Sequence, residues 1–189
     1  MMRSAEKLTP YTVTLAGVTR SLPRVEIAPG VVIAILNILG DTELTEAVAQ
    51  ALVLKLPPEA EMLVTPEAKS IPLAYAMSVK SGLPYVVLRK TRKPYMLNAI
   101  SAEVLSITTG KPQTLWLDGR DVERVRGKRI IFVDDVISTG STLHGGRKLL
   151  EMAGGQVIGA AAILTEGDNP EWNDIISLGN LPVWLSKEA

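Results

Sequence analysis

The chain has 189 residues, and its 20 lysines and arginines balance 20 aspartates and glutamates, so the formal net charge is zero. This balance gives no general attraction to nucleic acid or to an anionic membrane, and we expect neither as a partner. The absence of cysteine excludes disulfides, zinc–thiolate sites and thiol catalysis. No apolar run approaches the roughly 20 residues of a membrane span, and no signal-peptide core is present. We therefore expect one cytoplasmic domain over residues 1–189.

The first element that the pattern predicts is a helix over residues 41–56. Apolar residues recur there at the spacing of one buried stripe, and Pro57 and Pro58 end it. The preceding forty residues, with prolines at 10, 23 and 29, are predicted to be irregular. Further along, strands alternate with helices. Strands are predicted at 61–65, 84–89, 129–133, 156–164 and 182–185, and helices at 70–80 and 142–153.

This alternation is typical of an α/β fold with a mostly parallel sheet and helices on both faces. The stretch 90–120 interrupts it. Two β-like runs, 102–107 and 113–117, flank the sequence TTGKP, and we interpret them as a flexible β-hairpin flap. Connections of this length in a compact domain are usually functional or disordered.

The segment RIIFVDDVISTGST, from Arg129 to Thr142, carries the clearest chemical pattern. An apolar strand delivers Asp134 and Asp135 to its carboxyl end, where ligands bind in open α/β sheets. A loop follows that holds four hydroxyl side chains and Gly140, and a helix then begins. Free backbone N–H groups at a helix N-terminus suit a phosphate group.

The two acids would repel a phosphate, so they fit sugar hydroxyls or a magnesium shell instead. A ligand with a diol and a phosphate a few ångströms apart, such as ribose 5-phosphate, meets both requirements. The loop contains neither a Walker A sequence nor the dinucleotide fingerprint GxGxxG. The alternative is an ordinary polar turn, but two acids ending an apolar strand would be costly there.

The sequence VDDVISTGSTL resembles the signature with which type I phosphoribosyltransferases bind 5-phosphoribosyl-1-pyrophosphate (PRPP). TPEAKS resembles their pyrophosphate loop, with lysine in place of the usual arginine. IAPGVVIAILNILGDTEL and LRKTRKPYM resemble the hood and the basic segment of the adenine branch. The resemblance implies a type I fold with an N-terminal hood at 1–56 and the flap at 90–120. It also implies transfer of the phosphoribosyl group from PRPP to a purine, with adenine, giving AMP, as the expected base.

The resemblance also implies roles for individual residues. Asp134 and Asp135 would contact the ribose hydroxyls in a catalytic role. The 5-phosphate would lie on Ser138, Thr139, Gly140, Ser141 and Thr142. Pyrophosphate would meet Glu67, Ala68, Lys69, Ser70, Arg89, Lys90 and Lys93. Mg²⁺ would bridge substrate oxygens and water without direct protein ligands, and the basic segment of relatives points to a homodimer.

Relatives also carry a carboxylate in the flap, and Glu103 is the only acid in the first part of this one. We nominate it as a third catalytic residue, although SAEVLSITTG departs from the family's usual Tyr-x-Leu-Glu-Tyr-Gly. The alternative is a solvent-facing glutamate on a hairpin.

The base itself stays open at this level. The segment LTEGD after the fourth strand has no lysine, which enzymes for 6-oxopurines commonly supply, and its Glu166 and Asp168 suit an exocyclic amine. The hood stretch is aliphatic, so Trp172 and Trp184 are candidates to line the pocket. Alternatives are xanthine, hypoxanthine, guanine or a pyrimidine as the base, or a regulator that senses PRPP without turnover. His144 is expected to be an exposed residue on the first helical turn.

Overall fold

The structure, a computed structural model, describes residues 8–105 and 112–185. In chain order its strands are β1 (Tyr11–Leu15), β2 (Val18–Leu22), β3 (Arg24–Ala28), β4 (Val31–Ala34), β5 (Met62–Pro66), β6 (Tyr85–Leu88), β7 (Ile100–Leu105), β8 (Pro112–Leu117), β9 (Arg129–Ile137), β10 (Gln156–Glu166), β11 (Ile175–Ile176), β12 (Asn180–Leu181) and β13 (Trp184–Leu185). The helices are α1 (Thr42–Val53), α2 (Ile71–Ser81), α3 (Gly119–Val125), α4 (Ser141–Met152) and a 3₁₀ helix (Pro170–Asp174).

The central sheet is parallel, with the strand order β11-β10-β9-β5-β6, and β12 adds to β10. From β5 the chain first builds β6 on one side and then crosses to build β9 on the other. The chain therefore reverses direction across the sheet between β5 and β9. A crevice beyond the carboxyl ends of the strands at such a point is where open α/β sheets bind ligands.

Helices cover both faces of this sheet, as the alternation of the sequence predicts. On one face α1 and α2 pack through fully buried residues such as Leu52 and Met77, and the N-terminal hairpin contributes to the same core. On the other face α4 and the β7–β8 hairpin bury Leu149 and Leu115 around Phe132 of β9. Within the described ranges, no helix is long and apolar enough to cross a membrane.

The prediction of irregular structure before residue 41 is wrong from β1 onwards. β1 and β2 form an antiparallel hairpin, and β3, β4 and β13 form a separate antiparallel sheet. Pro10 precedes β1, and Pro23 and Pro29 lie between strands, so the prolines bound the strands instead of excluding them. The alternation of polar and apolar residues in β1, YTVTL, is the signal that was available.

The predicted hairpin is present as β7 and β8, but its base does not protrude. Ala102, Val104 and Leu117 are buried against the core beneath α4. The residues between 105 and 112, which include most of TTGKP, lie outside the described ranges. The last two residues of the interval 90–120 belong to α3, a helix that the sequence analysis did not predict. That helix has only seven residues and begins after Asp118, whose side chain accepts a hydrogen bond from the backbone of Arg120.

Two glycines let α4 approach its neighbours closely. A Cβ atom on Gly146 would overlap with the ring of Phe132, and one on Gly145 would overlap with the side chain of Val104. Both neighbours are buried. Helix α4, which begins in the loop 138–142, is therefore held against the sheet and the hairpin at a distance that only glycine permits.

Replacing Gly146 by alanine should destabilise the protein by about 1–2 kcal/mol. A Cβ on Gly146 would overlap severely with the buried, rigid ring of Phe132, which places the overpacking cost at the upper end of its usual range, about 2–3 kcal/mol. This cost exceeds the gain of about 1 kcal/mol from alanine in a helix. For a chain of this size the midpoint of thermal unfolding should fall by roughly 2–8 °C. Lys148→Ala, at an exposed position of the same helix, is the control and should stay within about 2 °C. An unchanged Gly146→Ala midpoint would contradict the packing argument.

Candidate active site

The central sheet parts beside the point where the strand order reverses, and this opening forms the candidate site. Strand β9 pairs with β5 only from Ile130 to Phe132, whereas it stays paired with β10 as far as Ile137. The predicted strand over residues 129–133 is therefore too short, because pairing with β10 continues past both acids. Asp134 and Asp135 lie on the part of β9 that has separated from β5, where a ligand can reach them.

The two acids are close together and largely removed from water. Asp134 Oδ1 accepts a hydrogen bond from the backbone N–H of Asp135 at 2.9 Å, and Asp135 is only 9% exposed. Part of Asp134 still faces the loop cavity, but the protein packs densely around its carboxyl. This desolvation, followed by the negative charge of Asp135, raises the pKa of Asp134 well above its ordinary value. The hydroxyl of Ser70 acts in the opposite direction and lowers it.

Lys69 joins the opposite wall of the crevice to the acid pair. Its Nζ lies 3.5 Å from Asp135 Oδ2 and donates a hydrogen bond to the carbonyl of Leu36 at 3.1 Å. Leu36 belongs to the connection between β4 and α1, so one cation touches the N-terminal part, the loop after β5 and the acid on β9. This half-exposed ammonium is the positive charge that a pyrophosphate between the walls would meet.

The loop after β5 is braced by buried hydroxyl groups. Thr65 Oγ1 donates to Ser70 Oγ at 2.8 Å, and Ser70 Oγ donates to the carbonyl of Pro66 at 3.0 Å. The side chain of Ser70 therefore makes no capping bond to α2. The N–H of Ile71, the first residue of that helix, donates to the carbonyl of Ala68 at 3.3 Å, and Pro72 has no N–H. The peptide bond between Glu67 and Ala68 is cis, and Ala68 is exposed. The anion site over residues 67–70 stays a prediction.

Arg89 is the cation of the basic segment that contacts this loop. Its Nε lies 2.9 Å from Glu67 Oε2, but the N–H is not aimed at that oxygen and has no hydrogen-bond partner within residues 8–105 and 112–185. Glu67 Oε1 also accepts a hydrogen bond from the backbone N–H of Lys90 at 2.6 Å. The side chain of Lys90 is exposed and Lys93 is half-buried. The structure therefore brings Arg89 to the loop through its side chain and Lys90 through its backbone N–H. The backbone N–H of Lys93 bonds instead to Met96 Sδ.

Residues 138–142 form the second loop of the crevice. Together with Asp134 they line a cavity of about 230 Å³ that opens to solvent. Gly140 precedes α4 with φ 72°, which favours glycine, and offers no side chain to cap the helix. The N–H of Ser141, the first residue of α4, donates to Thr139 Oγ1 at 3.4 Å. The hydroxyls of Thr139 and Ser141 lie 3.0 Å apart. Hydroxyls and open helix N–H groups thus converge on one small polar cavity, the arrangement that binds phosphate dianions.

Glu103 lies apart from these groups. It is exposed on β7, where it is paired in register with Thr114 of β8. Its catalytic role stays a prediction.

The two candidate pocket tryptophans occupy different places. Trp172 is buried next to the loop 138–142, and its indole N–H donates to the carbonyl of Glu166 at 2.9 Å. Trp184 belongs to the antiparallel sheet of β3, β4 and β13, where its ring contacts Tyr11 edge-on and Arg24 lies 4.9 Å above it. His144 is exposed, as expected, and its Nε2 lies 3.5 Å from a carboxylate oxygen of Glu171.

Two features of the site were missed from the sequence. The carbonyl of Leu36, which accepts the hydrogen bond of Lys69, is a backbone group, so the residue type at that position does not predict the contact. The contact between Trp172 and Gly140 joins positions that are distant in the chain, so no local pattern predicts it.

Comparisons with known proteins agree with this geometry. Residues 40–175 match the family model described as the phosphoribosyl transferase domain. The chain belongs to the type I phosphoribosyltransferase family. It is 34% identical over 130 residues, 69% of its length, to a hypoxanthine/guanine phosphoribosyltransferase of Methanococcus voltae, and 31% identical over 68% of its length to an orotate phosphoribosyltransferase of Methanopyrus kandleri. It spans 66% and 56% of those two relatives, so at most about two thirds of either.

The fold is that of solved members of the family. An adenine phosphoribosyltransferase from Thermoanaerobacter pseudethanolicus superposes with a TM-score of 0.64, covering 91% of this chain and 95% of that one at 22% identity. At this identity the likeness concerns the fold alone.

Replacing Asp134 by asparagine should stabilise the protein at neutral pH. The folded-state pKa of this carboxyl lies above its unfolded value, so the folded protein binds the proton more tightly. The wild type therefore loses stability as the pH rises from the ordinary aspartate pKa through the raised one. Asparagine keeps the acceptor for the Asp135 N–H but does not ionise.

The measurement is the midpoint of thermal unfolding of wild type and variant between pH 4 and pH 8. The advantage of Asp134→Asn should widen with pH, by about 2–4 °C for each kcal/mol relieved. Glu151→Gln, which changes an exposed acid on α4, is the matched control and should show no such trend. An advantage that shrinks with rising pH would refute the assignment of a raised pKa.

Proposed function

We propose that this chain transfers the 5-phosphoribosyl group from PRPP to a purine base and releases pyrophosphate. The observation that carries the proposal is the meeting of three groups at one sheet opening. The acid pair on β9, the braced loop of Lys69 after β5 and the phosphate-type loop 138–142 converge there, with Lys69 Nζ 3.5 Å from Asp135. Sugar hydroxyls, pyrophosphate and 5-phosphate require these three kinds of partner.

In this proposal residues 138–142 hold the 5-phosphate, and Asp134 and Asp135 accept hydrogen bonds from the ribose hydroxyls. The bond from C1′ to the pyrophosphate oxygen breaks while a bond from C1′ to a ring nitrogen of the base forms. Negative charge then grows on the pyrophosphate, and Lys69 and Arg89 lie where they would stabilise it. Lys90 and Lys93 add positive charge to the same segment. Holding both reactants at fixed positions supplies the rest of the rate enhancement.

Magnesium fits this arrangement as a companion of the substrate. No group of three or more acidic or histidine side chains able to hold a metal occurs within residues 8–105 and 112–185. Asp134 and Asp135 offer oxygen ligands of the kind that Mg²⁺ prefers, and Mg²⁺ keeps several waters and uses substrate phosphates. When bound, the ion would neutralise pyrophosphate charge, and the two aspartates would meet its water shell.

Adenine is the first candidate for the base. The segment after β10 carries no lysine for a 6-oxo group, and Glu166 and Asp168 provide acceptors. Burial raises the pKa of Glu166, whereas Asp168 is exposed. The relative from Methanococcus voltae makes hypoxanthine and guanine the second candidates. Glu103 stays a candidate contact for the base if the hairpin moves towards the crevice.

The deciding experiment measures pyrophosphate release from PRPP and Mg²⁺ with adenine, hypoxanthine, guanine, xanthine, orotate and uracil in separate reactions. One purine should support turnover. The double variant Asp134→Asn with Asp135→Asn should then lose at least about 100-fold in kcat/KM, because it removes charge from the ribose site. Glu151→Gln should retain wild-type activity.

If pyrophosphate is released only with orotate or uracil, the accepting base is a pyrimidine and the proposal of a purine is wrong. Tight binding of PRPP without release for any base would overturn the enzyme and favour a regulator that senses PRPP.

The proposal includes a homodimer. Tyr75 and Val79 are one turn apart on α2 and are 57% and 66% exposed. The ring of Tyr75 also lies edge-on to that of Tyr85 of β6, the last strand of the central sheet, with the centroids 6.4 Å apart. An exposed apolar group of this kind marks a protein contact. Light scattering should give twice the chain mass of 20.3 kDa. Val79→Glu should give the monomer, whereas Leu54→Glu, on the exposed end of α1, should not. A monomeric wild type would contradict this part of the proposal.

A further inference from the structure

Trp172 is held rigidly beside the candidate site although the proposed reaction gives it no role. It is 7% exposed and lies in the 3₁₀ helix, whose first turn is capped by Asn169 through a hydrogen bond from the backbone of Glu171 at 3.0 Å. An indole side chain has only two rotatable torsions, so a buried tryptophan on a capped helix is a stiff spacer.

One side of the indole ring holds the segment on the base side of the crevice. Its N–H donates to the carbonyl of Glu166, the last residue of β10, at 2.9 Å. The neighbouring backbone is fixed as well, because Asn180 donates to the carbonyl of Gly167 and to the hydroxyl of Thr165, each at 2.9 Å. The chain direction after β10 thus depends on these two side chains.

The other side of the ring touches the phosphate loop. A Cβ atom on Gly140 would lie 3.1 Å from Cη2 of Trp172 and 3.2 Å from Cε1 of His144. Both distances are shorter than ordinary carbon contacts, so the backbone of the loop at Gly140 lies close against the indole, with the exposed ring of His144 beside it. The indole fixes the position of Gly140, where α4 and its free N–H groups begin.

We propose that Trp172 is a positioning residue that sets the distance between the 5-phosphate subsite and the base subsite. This inference rests on the proposed phosphoribosyl transfer. Substitution at C1′ needs the base nitrogen and the ribose in one alignment, and each is held by a different segment. A single rigid side chain that contacts both segments couples them, so that filling one subsite prepares the other.

A role of Trp172 in stability alone leads to a different expectation from a role in positioning. Trp172 belongs to the core beneath α4, so truncating it lowers stability in either case. Coupling between two ligands is the property that a merely structural role does not change. Leu52 is fully buried in the other core, on α1. Leu52→Ala therefore provides a variant that loses stability without touching either segment.

The test is calorimetric titration of ribose 5-phosphate, with and without adenine or, in a second series, hypoxanthine. In the wild type the base should tighten ribose 5-phosphate binding at least about fivefold. Trp172→Leu should reduce this factor towards one. Trp172→Phe, which keeps an aromatic ring but loses the indole N–H, should retain an intermediate factor. Leu52→Ala, studied at a temperature where it is folded, should keep the wild-type factor.

Each other result overturns the inference in a distinguishable way. A Trp172→Leu protein with the full coupling factor, or a Leu52→Ala protein without it, removes the positioning role and leaves phosphoribosyl transfer intact. The same holds for a wild type that binds ribose 5-phosphate without any coupling to either base. A wild type that does not bind ribose 5-phosphate overturns the proposed function and, with it, this inference.

Discussion

The separation of β9 from β5 beyond Phe132 is the constraint on which the site depends. Two adjacent acids inside a fully paired parallel strand would have no solvent and no partner, and their charge would be too costly to bury. The parting of the strands gives Asp135 the ammonium of Lys69 and lets Asp134 face a cavity. Even so, the pKa of Asp134 is raised, so the fold retains an unfavourable group where a ligand would use it.

The packing of α4 follows from the same requirement. The phosphate-type loop must end against the sheet opening, so the helix that follows it has to lie close to β9. Gly145 and Gly146 allow this approach, and the hairpin then packs on the same helix through Val104. The hairpin is therefore anchored to the element that carries the loop.

The sequence predicts the central architecture well because each signal there is local. Buried parallel strands, helix stripes and the run from Arg129 to Thr142 are contiguous in the chain, and all appear in the structure within a few residues. The prediction for the N-terminal region was wrong because the prolines there were taken to exclude strands. The contacts of Lys69 with Leu36 and of Trp172 with Gly140 could not be predicted, since they join distant residues through backbone atoms or ring edges.

The parts of the proposed site differ in how they relate to the stretch that matches the family model. Residues 67–70 and 134–142, at the carboxyl ends of β5 and β9, lie inside residues 40–175, and so do Glu166 and Asp168. The strands β1–β4 and β13 lie outside that stretch and form their own small sheets. Lys69 reaches this N-terminal part through the carbonyl of Leu36, a backbone group that any sequence supplies. Family membership therefore constrains the segments proposed to hold PRPP, whereas the N-terminal strands beside them can change independently of it.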